Sequence, residues 1–271
     1  MTQLGPPDWG DGAYESFSVE LAPAAAHLVD VAAVLPGEQA VDLGCGDGNA
    51  TTLLAATGAR VTGVDPATRL LEVAARRCAE AGQEVVWMEG SSESLPLPDD
   101  SVDVVISNFG VIFSAEPTEA IREVLRVLRA GGRFVYSAWR PSGGIAEAAG
   151  LVRRLMADRA NASAAPDDPP PPPPPWHEPA AWIAELVPGG AAAITVHEGT
   201  LDFLADSGKA WVTHQEETHP LWRAARLALD DEPAWRDLMA RSAAVLDQHS
   251  TIAEAMLVPS PYVIVEVHPK G

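Results

Sequence analysis

From Gln39 to Ala138 the chain alternates short apolar runs with stretches whose apolar positions recur at helical spacing. Short runs bounded by polar turns read as buried strands, and their alternation with helices predicts a parallel sheet. The runs end at Leu43, at Val64 (from Arg60), at Met88 (from Glu84), at Ser107 (from Ser101) and at Ala138 (from Arg133). A helix is expected over Asn49 to Thr57. A second is plain around Ile121, Val124, Leu125 and Leu128, which recur at i, i+3, i+4 and i+7. Ser114 is placed to cap that helix, Glu116 suits its positive end, Arg126 and Arg129 its negative end, and Gly131 is placed to stop it. Ahead of the sheet, Trp9, Tyr14 and Phe17 precede a helical pattern from Val19 to Leu35. Beyond Pro141 the order loosens into a helix from Ile145 to Arg159, a helix from Pro179 to Leu186, a strand from Ile194 to Phe203, helices from Lys209 to Ser250 and a last strand from Tyr262 to His268. The expected fold is α/β, a Rossmann-like doubly wound, mostly parallel seven-stranded sheet with a helical cap or insertion. No internal repeat is present.

The densest chemistry lies in Ala40 to Gly48, AVDLGCGDG, where a buried strand runs into a glycine-rich turn and then a helix. Glycines there let a backbone pass close under a ligand. Asp65 stands twenty-one residues after Gly44, at the end of the second strand. A carboxylate at that point suits a ribose diol, because it accepts from both hydroxyls. A dinucleotide turn asks for G-x-G-x-x-G so that a helix N-terminus can hold a pyrophosphate. The spacing here is G-x-G-x-G, with Asn49 in place of the last glycine and Asp47 inside the turn. An acid in the turn opposes a pyrophosphate and tolerates a cation, so the residues favour S-adenosylmethionine over NAD. A tight turn with no ligand is the plainer alternative.

With these motifs the chain resembles the class I S-adenosylmethionine-dependent methyltransferases over roughly Pro36 to Pro141. VDLGCGDGN is similar to their first motif, GVDPATRLLEVA to the second strand and helix, EGSSESLPLPDDSVDVVISNFGV to the third and fourth strands with their loop, and EVLRVLRAGGRFVYSAW to the closing helix, turn and strand. Within the class it looks most like small-molecule enzymes related to the quinone-biosynthesis C-methyltransferases. The resemblance implies that Asp42, Gly44, Cys45 and Gly46 surround the methionine moiety, that Asp65 holds the ribose and Pro66 follows it, that Leu70 packs on the adenine, that Ser91, Ser92 and Glu93 reach its edge, and that Asn108 and Phe109 lie near the sulfonium. It also implies an antiparallel strand inserted last into the sheet, an N-terminal segment that caps the cofactor, and acceptor-binding insertions after the fifth strand. One departure is Ser91, where the family often carries an acid; a neutral hydroxyl accepts more weakly than a carboxylate.

Composition narrows the partners. The net charge is −20 and no basic stripe is present, whereas nucleic-acid enzymes carry a positive footprint. Neither nucleic acid nor an anionic membrane is an expected partner. No run reaches the roughly 18 apolar residues of a membrane span, and MTQLGPPDWGDG does not read as a signal peptide. Cys45 and Cys78 are no disulfide framework. These features point to a cytoplasmic protein with a small-molecule acceptor; a homodimer stays open as its assembly.

The expected organisation is a cofactor-capping extension over residues 1–35, a cofactor-binding core over 36–141, a helical and Pro-rich acceptor cap over 142–190, and strands and helices completing sheet and pocket over 191–271. Methyl transfer needs alignment and exclusion of water, and a general base only for some acceptors. His219 and His214, in the run HQEETH, are the candidate bases, since histidine titrates near neutrality; a solvated helix face is the alternative. Two histidines five apart do not make a metal site, and none is expected. His177 is a weaker candidate. Tyr14, Trp139 and Trp222 are the expected acceptor-pocket walls, against the alternative that the tryptophans simply pack an Ala-rich cap. The seven prolines from Pro169 read as polyproline II, either as a lid or a ligand for a Pro-binding module, or as a spacer. Two other functional readings stay open, a methyltransferase-fold protein that binds the cofactor without transferring methyl, and an NAD-dependent oxidoreductase.

Overall fold

The computed structural model describes residues 8–163, 174–187, 192–229 and 231–269, so the proline run falls almost wholly outside the described residues. Seven strands form one sheet: β1 (Gln39–Leu43), β2 (Arg60–Asp65), β3 (Val85–Glu89), β4 (Val102–Ser107), β5 (Leu128–Trp139), β6 (Ala192–Ala205) and β7 (Met256–Pro269). Their order is β3-β2-β1-β4-β5-β7-β6. The pairs among β1 to β5 are parallel, and β7 inserts antiparallel beside β5, Trp139 opposite Tyr262. Reversal of strand order on either side of β1 opens the crevice in which α/β sheets bind ligands. Asp42 sits on the central strand, opposite Gly63 of β2 and Ile106 of β4.

The helices are α1 (Tyr14–Ser18), α2 (Ala22–Ala32), α3 (Asn49–Ala56), α4 (Thr68–Glu80), α5 (Pro117–Val127), α6 (Gly144–Ser163), α7 (Ile183–Leu186), α8 (Gly208–Thr218), α9 (Pro220–Leu229) and α10 (Glu232–His249). The chain divides into two compact units. One holds Leu21–Trp139, Pro174–Gly199 and Tyr262–Gly271 and contains most of the sheet; the other holds Met1–Glu20, Arg140–Pro173 and Thr200–Pro261 and is mainly helical. Neither unit is one contiguous segment, because the chain leaves the sheet after β5 and returns to it twice.

In the sheet unit, alternate residues of each strand point to opposite faces. Val41, Leu43, Val105, Phe134 and Tyr136 join Ile121 and Val124 of α5 and Ile183 of α7 in one buried cluster, while α2, α3 and α4 pack against the strands separately. Tyr136 donates its hydroxyl to the Trp176 carbonyl at 2.8 Å, and Trp176 meets Trp182 edge-on at 4.7 Å. Trp176 is therefore core of this unit, and half-buried Trp182 packs against it.

Several local expectations are corrected. Ser114 does not cap α5. Its hydroxyl donates to Glu93, and Glu116 holds the N-cap position with Pro117 at the first helical turn. Gly131 does not end α5 either. The helix ends at Val127 because Leu128 already pairs with Val102 of β4, and the shift of register before Arg133 loops out the glycines instead. β7 begins at Met256, six residues earlier than expected, with Pro259 and Pro261 inside it. Prolines punctuate strand patterns because they cannot donate to a ladder, yet Met256, Val258 and Ser260 alternate inward all the same.

Candidate functional site

The glycine-rich turn after β1 is built by its neighbours. Gly44 has φ +64°, and a Cβ there would lie 2.9 Å from Gly110 Cα. Its requirement for glycine is thus met inside the protein, by close crossing with the segment after β4, whatever it also does for a ligand. The Gly44 and Cys45 amides donate to the Val64 carbonyl at 2.8 and 3.1 Å. The Gly46 amide donates to Asp65 Oδ2 and the Ala67 amide to Asp65 Oδ1, both at 2.8 Å. A carboxylate has about four acceptor sites, so Asp65 holds the turn and retains capacity for further donors.

Asp42 is the most unusual group. It is 1 % exposed; Oδ2 accepts the Thr51 hydroxyl at 2.6 Å, and Oδ1 is buried with no partner among the described residues. Burial first, and the nearby Asp65 charge in support, push its carboxyl up to about 7. Burial likewise raises Asp65. Two buried carboxyls toward the ends of neighbouring strands, one oxygen unsatisfied, call for a ligand that brings positive charge and hydroxyl donors. S-adenosylmethionine, with its sulfonium, ammonium and ribose diol, fits that donor set. Cys45 is buried and its thiol is pushed well up by desolvation, which keeps it neutral.

Asp47 plays a different part from the one expected. It is buried and pairs with Arg77 of α4 at 2.6 Å, and Arg77 also reaches Asn49. Its charge is compensated by that pair, so Asp47 does not by itself select against a phosphate; Asp42 and Asp65 carry that argument.

Around the rim, Pro66 is exposed and Leu70 is buried at 2 % within α4. Ser91 and Ser94 form an isolated bridge. Glu93 points toward α5, where its Oε1 accepts from Ser114 Oγ, the Ala115 amide and the Glu116 amide. These hydrogen bonds outweigh desolvation and hold Glu93 below its ordinary range.

After β4 the chain is pinned by two buried serines. Ser107 Oγ donates to the Leu43 carbonyl and accepts the Val111 amide. Ser137 Oγ donates to Asn108 Oδ1 and accepts the Phe109 amide at 2.8 Å. Phe109 is thereby held at φ +56°, a conformation rare for a bulky side chain. Its ring stacks on Trp139 at 4.0 Å and 8°, and both meet Tyr262 edge-on. The Tyr262 hydroxyl lies 3.0 Å from His27 Nδ1.

In the helical unit, His219 ends α8 and is buried among Phe17, Tyr14 and Trp9, with ring centroids 4.6, 5.9 and 6.2 Å away. Its Nδ1 accepts the Leu221 amide, so the ring's proton belongs on Nε2. Desolvation lowers it to about 4, and the imidazole is neutral at physiological pH. His214 is half-buried. Trp222 is buried edge-on to Trp211, which meets Phe203, which stacks on Phe17. Burial raises Glu20 to about 6, and it accepts weakly from Trp211 Nε1 at 3.5 Å. His177 lies in the sheet unit beside Glu178.

Sequence reasoning did not single out Thr51, Arg77, Ser107, Ser137, Tyr262 or Gln215. The first four could have been suspected as polar residues at apolar strand or helix positions; nothing local marks the others. Among the described residues, no cluster of three metal-ligating side chains occurs, and no helix is long and apolar enough to cross a membrane.

Comparison with known proteins agrees with this geometry. Residues 41–136 match the family described as a methyltransferase domain. An uncharacterized protein of Mycobacterium tuberculosis is 35% identical over 136 residues, 50% of either chain. A ubiquinone/menaquinone biosynthesis C-methyltransferase of Rubrivivax gelatinosus is 41% identical over 109 residues, 40% of this chain and 42% of its own. The chain thus spans about half the length of the curated relatives it matches. Among solved structures, the YcgJ protein of Bacillus subtilis superposes with a TM-score of 0.61 at 20% identity, over 92% of this chain and 99% of its own.

Proposed function

We propose that this chain, whose residues 41–136 match a methyltransferase domain, is a class I S-adenosylmethionine-dependent methyltransferase that transfers a methyl group to a small apolar or aromatic metabolite. The observation that carries the reading is the unpartnered Oδ1 of buried Asp42, beside a glycine turn fastened to Asp65. S-adenosylmethionine supplies a methyl carbon activated by a positive sulfonium. Asp42, with the backbone of Gly44, Cys45 and Gly46, is assigned to the cationic methionine end. Asp65 is assigned to the ribose hydroxyls, and Pro66, Leu70, Ser91, Ser92 and Glu93 to the adenine rim. Asn108 and Phe109 are assigned to the neighbourhood of the sulfonium, where the Phe109–Trp139 stack supplies an apolar wall that excludes water. Tyr14 and Trp222 of the helical unit are assigned to acceptor recognition.

His219 remains a candidate for contact with the acceptor. Its low basicity suits it to orient a group by hydrogen bonding more than to store a proton, and His214 is the second candidate base. A small acceptor is supported by the net charge of −20, which opposes binding of a polyanion such as nucleic acid.

Isothermal titration with S-adenosylmethionine and S-adenosylhomocysteine tests the reading. Micromolar binding of both is expected, and Asp65→Ala should abolish it while the protein stays folded by circular dichroism. Unchanged affinity in that variant would sink the ribose assignment. Binding with no turnover to S-adenosylhomocysteine across a broad acceptor panel would favour a cofactor-binding protein that does not transfer methyl.

A further inference from the structure

Gln215 occupies the middle of the buried face of α8, flanked by Trp211 one turn before and His219 one turn after. It is 1 % exposed, and neither its Oε1 nor its Nε2 has a partner among the described residues. Buried amides are almost always paired, because an unpaired one has lost its water for nothing. At this position a leucine would fill the same space without that cost. The helix pair carries a second orphan. α10 packs along α8, with Gly208 bonded to Asp247 and Glu216 to Trp235, and Ser242 Oγ on its buried face is also unpartnered. The surroundings of α8 are otherwise aromatic, through Phe17, Phe203, Trp211 and Trp222.

We propose that Gln215 is the recognition group of a binding site within the helical unit, selecting neutral aromatic molecules that present a hydrogen-bond donor and an acceptor side by side, as a lactam or a vicinal hydroxy-carbonyl does. This rests on the methyltransferase reading above for what the bound molecule is used for, not for its binding. The carboxamide offers one acceptor and two donor hydrogens in one plane. A partner that only accepts, such as a carboxylate or a pyridine nitrogen, leaves Oε1 buried and unpaired; one that only donates strands Nε2. A ligand with both groups on one edge engages Oε1 and one Nε2 hydrogen at once. Charge points the same way. Glu20 faces Trp211 in this cluster, His219 is neutral there, and Arg223 is paired with Asp11. An anion would find no unengaged cation among these groups. Sites built to hydrogen-bond a ligand reject analogues that lack the group far more strongly than apolar pockets discriminate by size.

The test uses the whole chain saturated with S-adenosylhomocysteine and follows tryptophan fluorescence. The probes are 2-quinolone, which carries adjacent N–H and C=O, quinoline, which only accepts, and 2-naphthol, whose hydroxyl stands alone. Wild type should bind 2-quinolone at least about ten-fold more tightly than either. Gln215→Leu should bring the three affinities within about two-fold, with a melting temperature at or above that of wild type, since it removes an unpaired amide. Equal affinities in the wild type would overturn the proposal, as would a Gln215→Leu protein that melts lower and keeps the wild-type preference. Should that variant not fold, Gln215→Met replaces it under the same criteria. Binding of S-adenosylhomocysteine without selectivity among the probes rejects this inference alone. Selectivity without S-adenosylhomocysteine binding rejects the methyl-transfer reading and keeps the recognition site.

Discussion

Asp42 holds a carboxyl where water does not reach, and the cofactor contact proposed for it makes a pH-dependent affinity the expected outcome. In the ligand-free protein its native pKa, about 7, lies above the ordinary value near 4. The native state therefore keeps a proton that the unfolded chain has released, and Asp42's contribution to stability falls as pH rises from about 4 and levels off above about 7. A cationic ligand at Oδ1 favours the ionised form. Affinity for S-adenosylmethionine measured by calorimetry should fall as pH drops below 7, by up to about ten-fold per unit. Asp42→Asn should bind more weakly and flatten that profile; an equally steep profile in the variant would assign the titration to another group. Gly44 offers a second test at this scale. Gly44→Ala should lose about 2 kcal/mol or more in denaturant unfolding, from positive φ and the collision with Gly110. Gly37→Ala, also at positive φ but with open space around it, should lose about 1 kcal/mol. Equal losses would mean that the backbone crossing is unimportant.

Among the elements, α5 shows why boundaries are harder to read than existence. Its apolar repeat at Ile121 and Val124 is a local pattern, and the helix lies where that repeat predicts. Its ends are decided by partners far along the chain, Glu93 before its start and Val102 after its end. Glu93→Ala should therefore destabilise the protein by about 1 kcal/mol, through loss of the hydrogen bonds that hold the segment leading into α5. The denaturation midpoint measures that loss, while titration with S-adenosylhomocysteine shows whether the adenine rim is affected as well. An unchanged midpoint would remove the structural role given to Glu93. Strand β7 carries the same lesson. Prolines hid its first six residues, although burial of Met256, Val258 and Ser260 continues its alternation.

For the molecule as a whole, the charge of −20 acts as self-repulsion in the compact state. Raising salt from about 0.02 to about 0.3 M shortens the Debye length well below the size of the fold. The melting temperature should rise with sodium chloride across that range, and a fall would show that local ion pairs outweigh the net repulsion. The strand-helix alternation of a mostly parallel sheet and the strand-turn-helix leading to Asp65 were legible in the chain itself, whereas the strand order came from the structure. The legible signals are short-range: hydrophobic period, glycine in a turn, and an acid one strand later. Only the tertiary structure supplied Arg77 as the partner of Asp47, Gly110 pressed on Gly44, the serines that hold Phe109 at positive φ, and the burial of Gln215 without a partner. Each depends on which distant segment packs alongside, and hydrophobic patterning alone does not encode the desolvation and pairing that result.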